Sequence, residues 1–315
     1  MLQTITLISA QTIVLLGISP FLVGLIRKVK ARLQCRRGAG VFQPYADLAK
    51  LFRKRPVVSS TTSWIFTATP YILFASTLSA GLLVPTFASL TPLNFTGGII
   101  ALVYLLALGT FFLILAGLDA GSAFGGMGSS REALVASLTE PAMILSIFAV
   151  ALTAGSTNLG TIVHKTALLE GVADPAPHLM ALAALCIVAI AETGRVPVDN
   201  PATHLELTMI HEAMVLEYSG RYLALIEWAA AMKLVVFLSL IANLFAPWGI
   251  ATTLTPAAIG IGLVAYTLKI AGLAVLIGIL ESMIAKLRLF RVTELLGAAF
   301  ILALLGVVFF YILRG

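Results

Sequence analysis

Residues 222–246 read YLALIEWAAAMKLVVFLSLIANLFA. Only Glu227 and Lys233 carry charge in these 25 residues. A bilayer core of ~30 Å takes about 20 apolar residues per helix. The stretch is therefore long enough to cross a membrane, and a soluble core has no need of such a run.

The rest of the chain repeats the pattern. Apolar runs predict spans at roughly 2–26, 67–88, 97–117, 132–154, 178–193, 222–246, 256–280 and 293–313. The fold class is thus all-α, a polytopic membrane protein with about eight transmembrane helices. Of 315 residues, 60% are hydrophobic and 11% charged, against about 25% charged in a soluble domain. No large water-soluble domain fits, and 1–315 is expected to be a single membrane domain. The run Leu2 to Ile26 lacks a preceding basic stretch and a small-residue cleavage site, so it is expected to remain as the first span.

The net charge of +6 is a membrane signal, not a nucleic-acid one. Ten of the 20 basic residues fall between Arg27 and Arg55, beside a span. With the N-terminus outside, alternating sides puts 16 basic residues on the inside and two, Lys165 and Arg314, on the outside. That asymmetry is the one insertion imposes on cytoplasmic loops. The cytoplasmic loops are then about 27–66, 118–131, 194–221 and 281–292, and the expected location is a prokaryotic cytoplasmic (inner) membrane.

Residues 42–54 alternate apolar Phe42, Tyr45, Leu48 and Phe52 with Asp47, Lys50, Arg53 and Lys54. This predicts an amphipathic cytoplasmic helix lying on the bilayer or under a partner. Gly121, Gly125, Gly126 and Gly128 predict a tight loop, after which Ser129 and Glu132 form a capping box that starts the fourth span. The loop 194–221 carries Asp199, Glu206, Glu212 and Glu217. Residues 158–170 predict a short amphipathic segment on the other side.

Several charges fall within or at the ends of apolar runs: Glu140 before Pro141, Glu192, Glu227, Lys233 and Lys269. A charge at the bilayer centre costs at least ~2.5–3.5 kcal/mol, so such groups face protein or water and usually pair. Glu and Lys suit a relay because burial moves both toward neutral pH from opposite sides. The other reading is plain interhelical ion pairing, or snorkelling near a span end, which suits Glu227 and Glu281 individually. As a set the charges point to an ion path.

Other chemistries find little support. Cys35 and Cys186 are far apart, with no Cys/His cluster, so no metal or iron–sulfur cluster is expected in this chain. His211-Glu212 opens like a zinc-protease motif, but Val215 stands where the second histidine belongs. His204 and Glu206 read better as a solvated loop pair than as ligands. The glycine loop lacks a following Gly-Lys-Ser/Thr and is no phosphate cradle. No catalytic nucleophile is evident.

More specific is the stretch Ala191-Glu-Thr-Gly-Arg-Val-Pro-Val-Asp199, followed by Glu206-Leu207 and Leu216-Glu-Tyr-Ser-Gly220. It resembles the signature of the complex I membrane-subunit family typified by mitochondrial subunit 1. Ala31-Arg-Leu-Gln-Cys-Arg-Arg-Gly38, Phe42-Gln-Pro-Tyr-Ala-Asp-Leu-Ala-Lys50 and Thr139-Glu140-Pro141 fit the same family. Leu118-Asp-Ala-Gly-Ser-Ala-Phe124, Gly128-Ser-Ser-Arg-Glu132 and Glu281-Ser-Met-Ile-Ala-Lys-Leu-Arg288 look like its membrane-bound hydrogenase branch, which includes the membrane subunits of formate hydrogenlyase and hydrogenase-4.

The resemblance implies a subunit without an active site of its own. It would anchor a soluble arm of hydrogenase-like large and small subunits and an iron–sulfur subunit, and would contact antiporter-like membrane subunits. Iron–sulfur clusters and a nickel–iron site would lie in those partners. The acidic funnel carried over by position is Glu140, Glu192, Asp199, Glu206, Glu217 and Glu227. Glu212, Lys233 and Lys269 join the candidate proton or ion path on the residue reading alone. Arg36, Arg37, Asp47, Lys50, Arg195 and Arg221 form the expected arm-docking surface. Where complex I subunits often carry acids after Pro-Phe-Asp, this chain has Ala202 and His204. A quinone-site subunit of a complex I-type NADH dehydrogenase and a stand-alone secondary transporter are the alternative readings.

Overall fold

A computed structural model describes residues 2–89, 98–168, 175–199, 209–253 and 255–314. It is all-α. Among the described residues, eight helices are long and apolar enough to span a membrane: α1 (Leu2–Leu33), α3 (Trp64–Leu83), α4 (Gly98–Asp119), α5 (Ala123–Ala154), α7 (Pro175–Glu192), α9 (Gly220–Phe245), α10 (Pro256–Met283) and α11 (Leu289–Arg314). Three short helices accompany them: α2 (Gln43–Arg53), α6 (Leu159–Ala167) and α8 (His211–Val215). The expected amphipathic segments at 42–54 and 158–170 correspond to α2 and α6, with 169 and 170 outside the described residues.

The run 222–246 is the centre of the bundle. Two thirds (67%) of the α9 window is buried inside the protein, against 22% for α10 and 28% for α1 and α11. α9 packs on α1, α2, α3, α7 and α10, which is why it is apolar on all sides. α4 by contrast presents Ile100, Tyr104, Leu108 and Phe111, one helical face, to the outside of the bundle.

The fourth span departs from expectation. α5 begins at Ala123, not Ser129, and Ser122 caps it by accepting from the Gly125 N–H. The glycines form a packing face within the helix. A Cβ on Gly125 would lie 2.4 Å from the Gly117 carbonyl oxygen, and one on Gly128 would lie 2.9 Å from that of Ile210. Glycine here permits close approach to α4 and to the segment before α8. Ser129 donates to the Ile114 carbonyl at 3.0 Å, so it is no cap, and Glu132 is a mid-helix residue.

α1 also outruns its apolar stretch, carrying Arg27 to Arg32 in its last turns. Lys and Arg are good helix formers, and cations suit a helix C-terminus. At the same end Asp119, closing α4, accepts from the Ser63 N–H at 2.8 Å and so ties the start of α3 to α4.

Candidate functional site

Two connected clusters lie where α5, α7 and α9 meet the loop end that holds residues 193–199. In α5, Glu132 and Thr139 are seven residues apart and share one face; Glu140 is rotated from Thr139 by about 100°. Opposite Thr139 stands Glu192, the last residue of α7. One Glu192 oxygen accepts the Thr139 hydroxyl proton. The other lies 2.7 Å from the ammonium of Lys233 on α9, and both side chains are largely shielded. Lys233 also donates to the Thr110 hydroxyl of α4 at 3.3 Å. A small cavity of about 70 Å³, enough for a few waters, touches Thr110, Glu132, Glu192 and Lys233.

Six residues before Lys233 on the same helix, Glu227 points to a different side, as a rotation of about 240° requires. It lines a larger cavity of about 360 Å³ with Arg27 of α1, Asp47 of α2, and Glu212. The walls of the two cavities have five residues in common: Thr193, Gly194, Asp199, His211 and Ala230.

Ion pairs hold the rim. One Asp199 oxygen meets Lys286 at 2.7 Å; the other accepts the backbone N–H groups of Ile210 and His211, both at 3.2 Å. Glu281, closing α10, pairs with Lys30 at 2.8 Å and Arg195 at 2.7 Å. The Leu287 N–H donates to the Pro197 carbonyl at 2.9 Å. Beneath this rim Val135, Ala191, Val198, Ile210, Val292 and Leu296 form a separate apolar cluster that seats the loop on α5, α7 and α11.

Of the groups lining the two cavities, two outside the spans are electrostatically displaced. Burial, and secondly the nearby Lys233 ammonium, push the His211 imidazole down to about 4, with Asp199 opposing, so the ring is neutral at pH 7. Burial raises Glu212, reinforced by Glu227 and Asp199 and opposed by Arg27.

The sequence-derived candidates therefore separate. Glu192, Lys233 and Asp199 meet at the smaller cavity; Asp47, Glu212 and Glu227 line the larger one. Glu140 is partly buried beside Thr139 but lines neither cavity. Glu217 is exposed. Lys269 donates to the Ala246 carbonyl at 2.6 Å, just past the C-terminus of α9 and at the other end of the bundle. Glu206 and His204 lie outside the described residues. Of the expected docking residues, Arg36, Arg37, Lys50 and Arg221 are exposed, with Arg221 over the Tyr222 ring at 5.6 Å; Arg195 is turned inward to Glu281.

Two members of the site are not evident from sequence. Glu132 looks like a cap residue there, although its seven-residue spacing from Thr139 puts both on one face. His211 stands out only as a half-formed metal motif, and nothing local indicates that it lines both cavities.

Comparison with known proteins agrees with this architecture. Residues 5–312 match the family model described as NADH dehydrogenase. The chain is 37% identical over 300 residues to hydrogenase-4 component C of Escherichia coli (strain K12), covering 95% of this chain and 94% of that protein. It is 34% identical over 298 residues to formate hydrogenlyase subunit 4 of the same organism, covering 95% and 96%. Its fold matches a chain of the membrane-bound sulfane sulfur reductase, an archaeal respiratory membrane complex, with a TM-score of 0.80 over 98% of each chain at 22% identity. An eight-span helical membrane protein with this motif set and these relatives belongs to the NADH dehydrogenase family, among its complex I-like membrane subunits.

Proposed function

We propose that this chain is the membrane-anchoring and ion-coupling subunit of an energy-converting hydrogenase or formate hydrogenlyase-type complex. The observation that carries the reading is the shielded Glu192–Lys233 pair, set against a water-sized cavity whose wall continues into a larger, carboxylate-lined one. A purely structural ion pair needs neither the cavity nor the further carboxylates around it.

In this reading the end bearing α2 and the loops 194–221 and 281–292 faces the cytoplasm of a prokaryotic cell, with the N-terminus outside. A soluble arm with hydrogenase-like large and small subunits and an iron–sulfur subunit docks there and holds the nickel–iron and iron–sulfur centres. Antiporter-like membrane subunits flank the bundle. Redox turnover changes the charge near Asp47, Asp199, Glu206, Glu212 and Glu217. The Coulomb effect reaches Glu227, Glu192 and Glu140, and is strongest at the shielded Glu192, where screening is weakest. Protons or Na⁺ then shift along these groups.

The test uses the assembled complex in membrane vesicles. Glu140→Gln and Glu192→Gln are expected to abolish ionophore-sensitive ion uptake while hydrogen turnover with an artificial acceptor persists. Unchanged uptake in both variants contradicts the relay.

A further inference from the structure

We propose that His211 carries protons between the larger cavity and the smaller one, a role that rests on the proposed coupling function. The two cavities meet at five residues, and their chemistry is unequal. Gly194 and Ala230 have no side-chain group that exchanges protons. The Thr193 hydroxyl donates to the Ala189 carbonyl at 2.6 Å. Asp199 is engaged on both oxygens, by Lys286 on one side and by the two backbone N–H groups on the other. Among the described residues, His211 makes no side-chain hydrogen bond, and it lines both cavities.

Lys233 and Asp199 line the smaller cavity with His211, and both charges act on the ring. Its backbone is fixed by the Asp199 bond to its own N–H and by its place as the first residue of α8. Gly194 sits at φ +57° beside the His211 Cβ, a left-handed backbone that favours glycine.

The step balances without any electron transfer. A proton from the Glu212 and Glu227 side binds one ring nitrogen. The proton on the other nitrogen leaves toward Glu132 and Glu192. The ring returns to neutral, and tautomer exchange or a ring turn restores the starting form. A ring held neutral at pH 7 passes a proton on and does not trap it.

The experiment compares His211→Ala, His211→Gln and Glu192→Gln in inverted vesicles holding the whole complex. Complex content, hydrogen turnover with an artificial acceptor and ionophore-sensitive acidification are all measured. His211→Ala and His211→Gln are expected to assemble, to turn over hydrogen, and to lose acidification by about a hundredfold, the low end for a positioned proton-transfer group. Added imidazole should restore acidification in His211→Ala. Should the alanine variant fail to assemble, the glutamine variant decides alone. Acidification at the wild-type level in His211→Gln overturns the proposal, and so does loss in His211→Ala without rescue by imidazole. Where Glu192→Gln still abolishes acidification in that case, the coupling reading stands without His211. Where Glu192→Gln also acidifies normally, the ion path through Glu192 falls, and with Glu140→Gln unchanged as well the coupling reading falls.

Discussion

Lys233 of α9 reaches Glu192 of α7 at 2.7 Å, on the most enclosed helix of the bundle. Removing one partner orphans the other charge. Glu192→Gln and Lys233→Met should each destabilise the subunit, by less than the roughly 3–5 kcal/mol of a fully buried pair because the adjoining cavity can hydrate the survivor. The double variant should cost clearly less than the two singles added together. Thermal unfolding of the four purified complexes measures this. Additive losses would show that the two groups do not interact.

His211 gives the protein a pH dependence with a definite sign. Its folded value is pushed down to about 4 from an ordinary 6.5. Between these values the unfolded segment binds more protons than the folded one, so stability falls as pH drops from about 6.5 to about 4. Glu212, raised by burial, acts in the opposite direction, since the folded form keeps its proton longer. Hydrogen exchange at residues 209–215 should therefore speed up from pH 7 to pH 5, after correction for intrinsic rates, and His211→Gln should reduce that acceleration. An equal acceleration in both proteins contradicts the assignment.

Asp199 joins two elements through two oxygens, taking Lys286 on one and the Ile210 and His211 N–H groups on the other. Asp199→Asn keeps an acceptor for the backbone groups, whereas Asp199→Ala removes it. Leaving buried donors unmet costs about 1–3 kcal/mol. Amide exchange at Ile210 and His211 should rise strongly in the alanine variant and modestly in the asparagine variant. Equal exchange in the two would mean that the Lys286 pair alone matters.

Gly24 is the contact through which α1 receives the segment leading into α2. A Cβ there would fall 1.9 Å from the Val41 carbonyl oxygen, and backbone cannot yield as a side-chain tip does. Gly24→Ala should therefore displace α2, breaking the contact in which the Tyr45 hydroxyl donates to the Gly17 carbonyl. Limited trypsin digestion at Lys50, Arg53 and Lys54 should accelerate several-fold, while Gly17→Ala, where a Cβ meets nothing within 4 Å, should not change it. The same digestion rate in both variants contradicts this docking.

The eight spans are legible in the sequence because bilayer thickness writes itself into run length, and α9 stands out as the run carrying Glu227 and Lys233. The start of α5 is not legible. Gly125 and Gly128 look like turn residues when only neighbours are considered, yet their partners are Gly117 and Ile210, eight and 82 residues away. Glu192 and Lys233 are each visible as charges at or within apolar runs, but pairing across 41 positions leaves no local trace. Lys269 shows the converse: a charge in an apolar run signals that it needs a partner, and here a backbone carbonyl at the far end of α9 supplies it. His211 is hidden for a third reason. Its place in the shared wall of two cavities is a property of the packed bundle and not of any motif.

The most direct test of the proposed coupling is the number of protons moved per hydrogen molecule turned over in vesicles containing the complex with Glu192→Gln, relative to the unaltered complex. The ratio should fall to near zero while hydrogen turnover with an artificial acceptor continues. A ratio equal to that of the unaltered complex would contradict an ion path through Glu192.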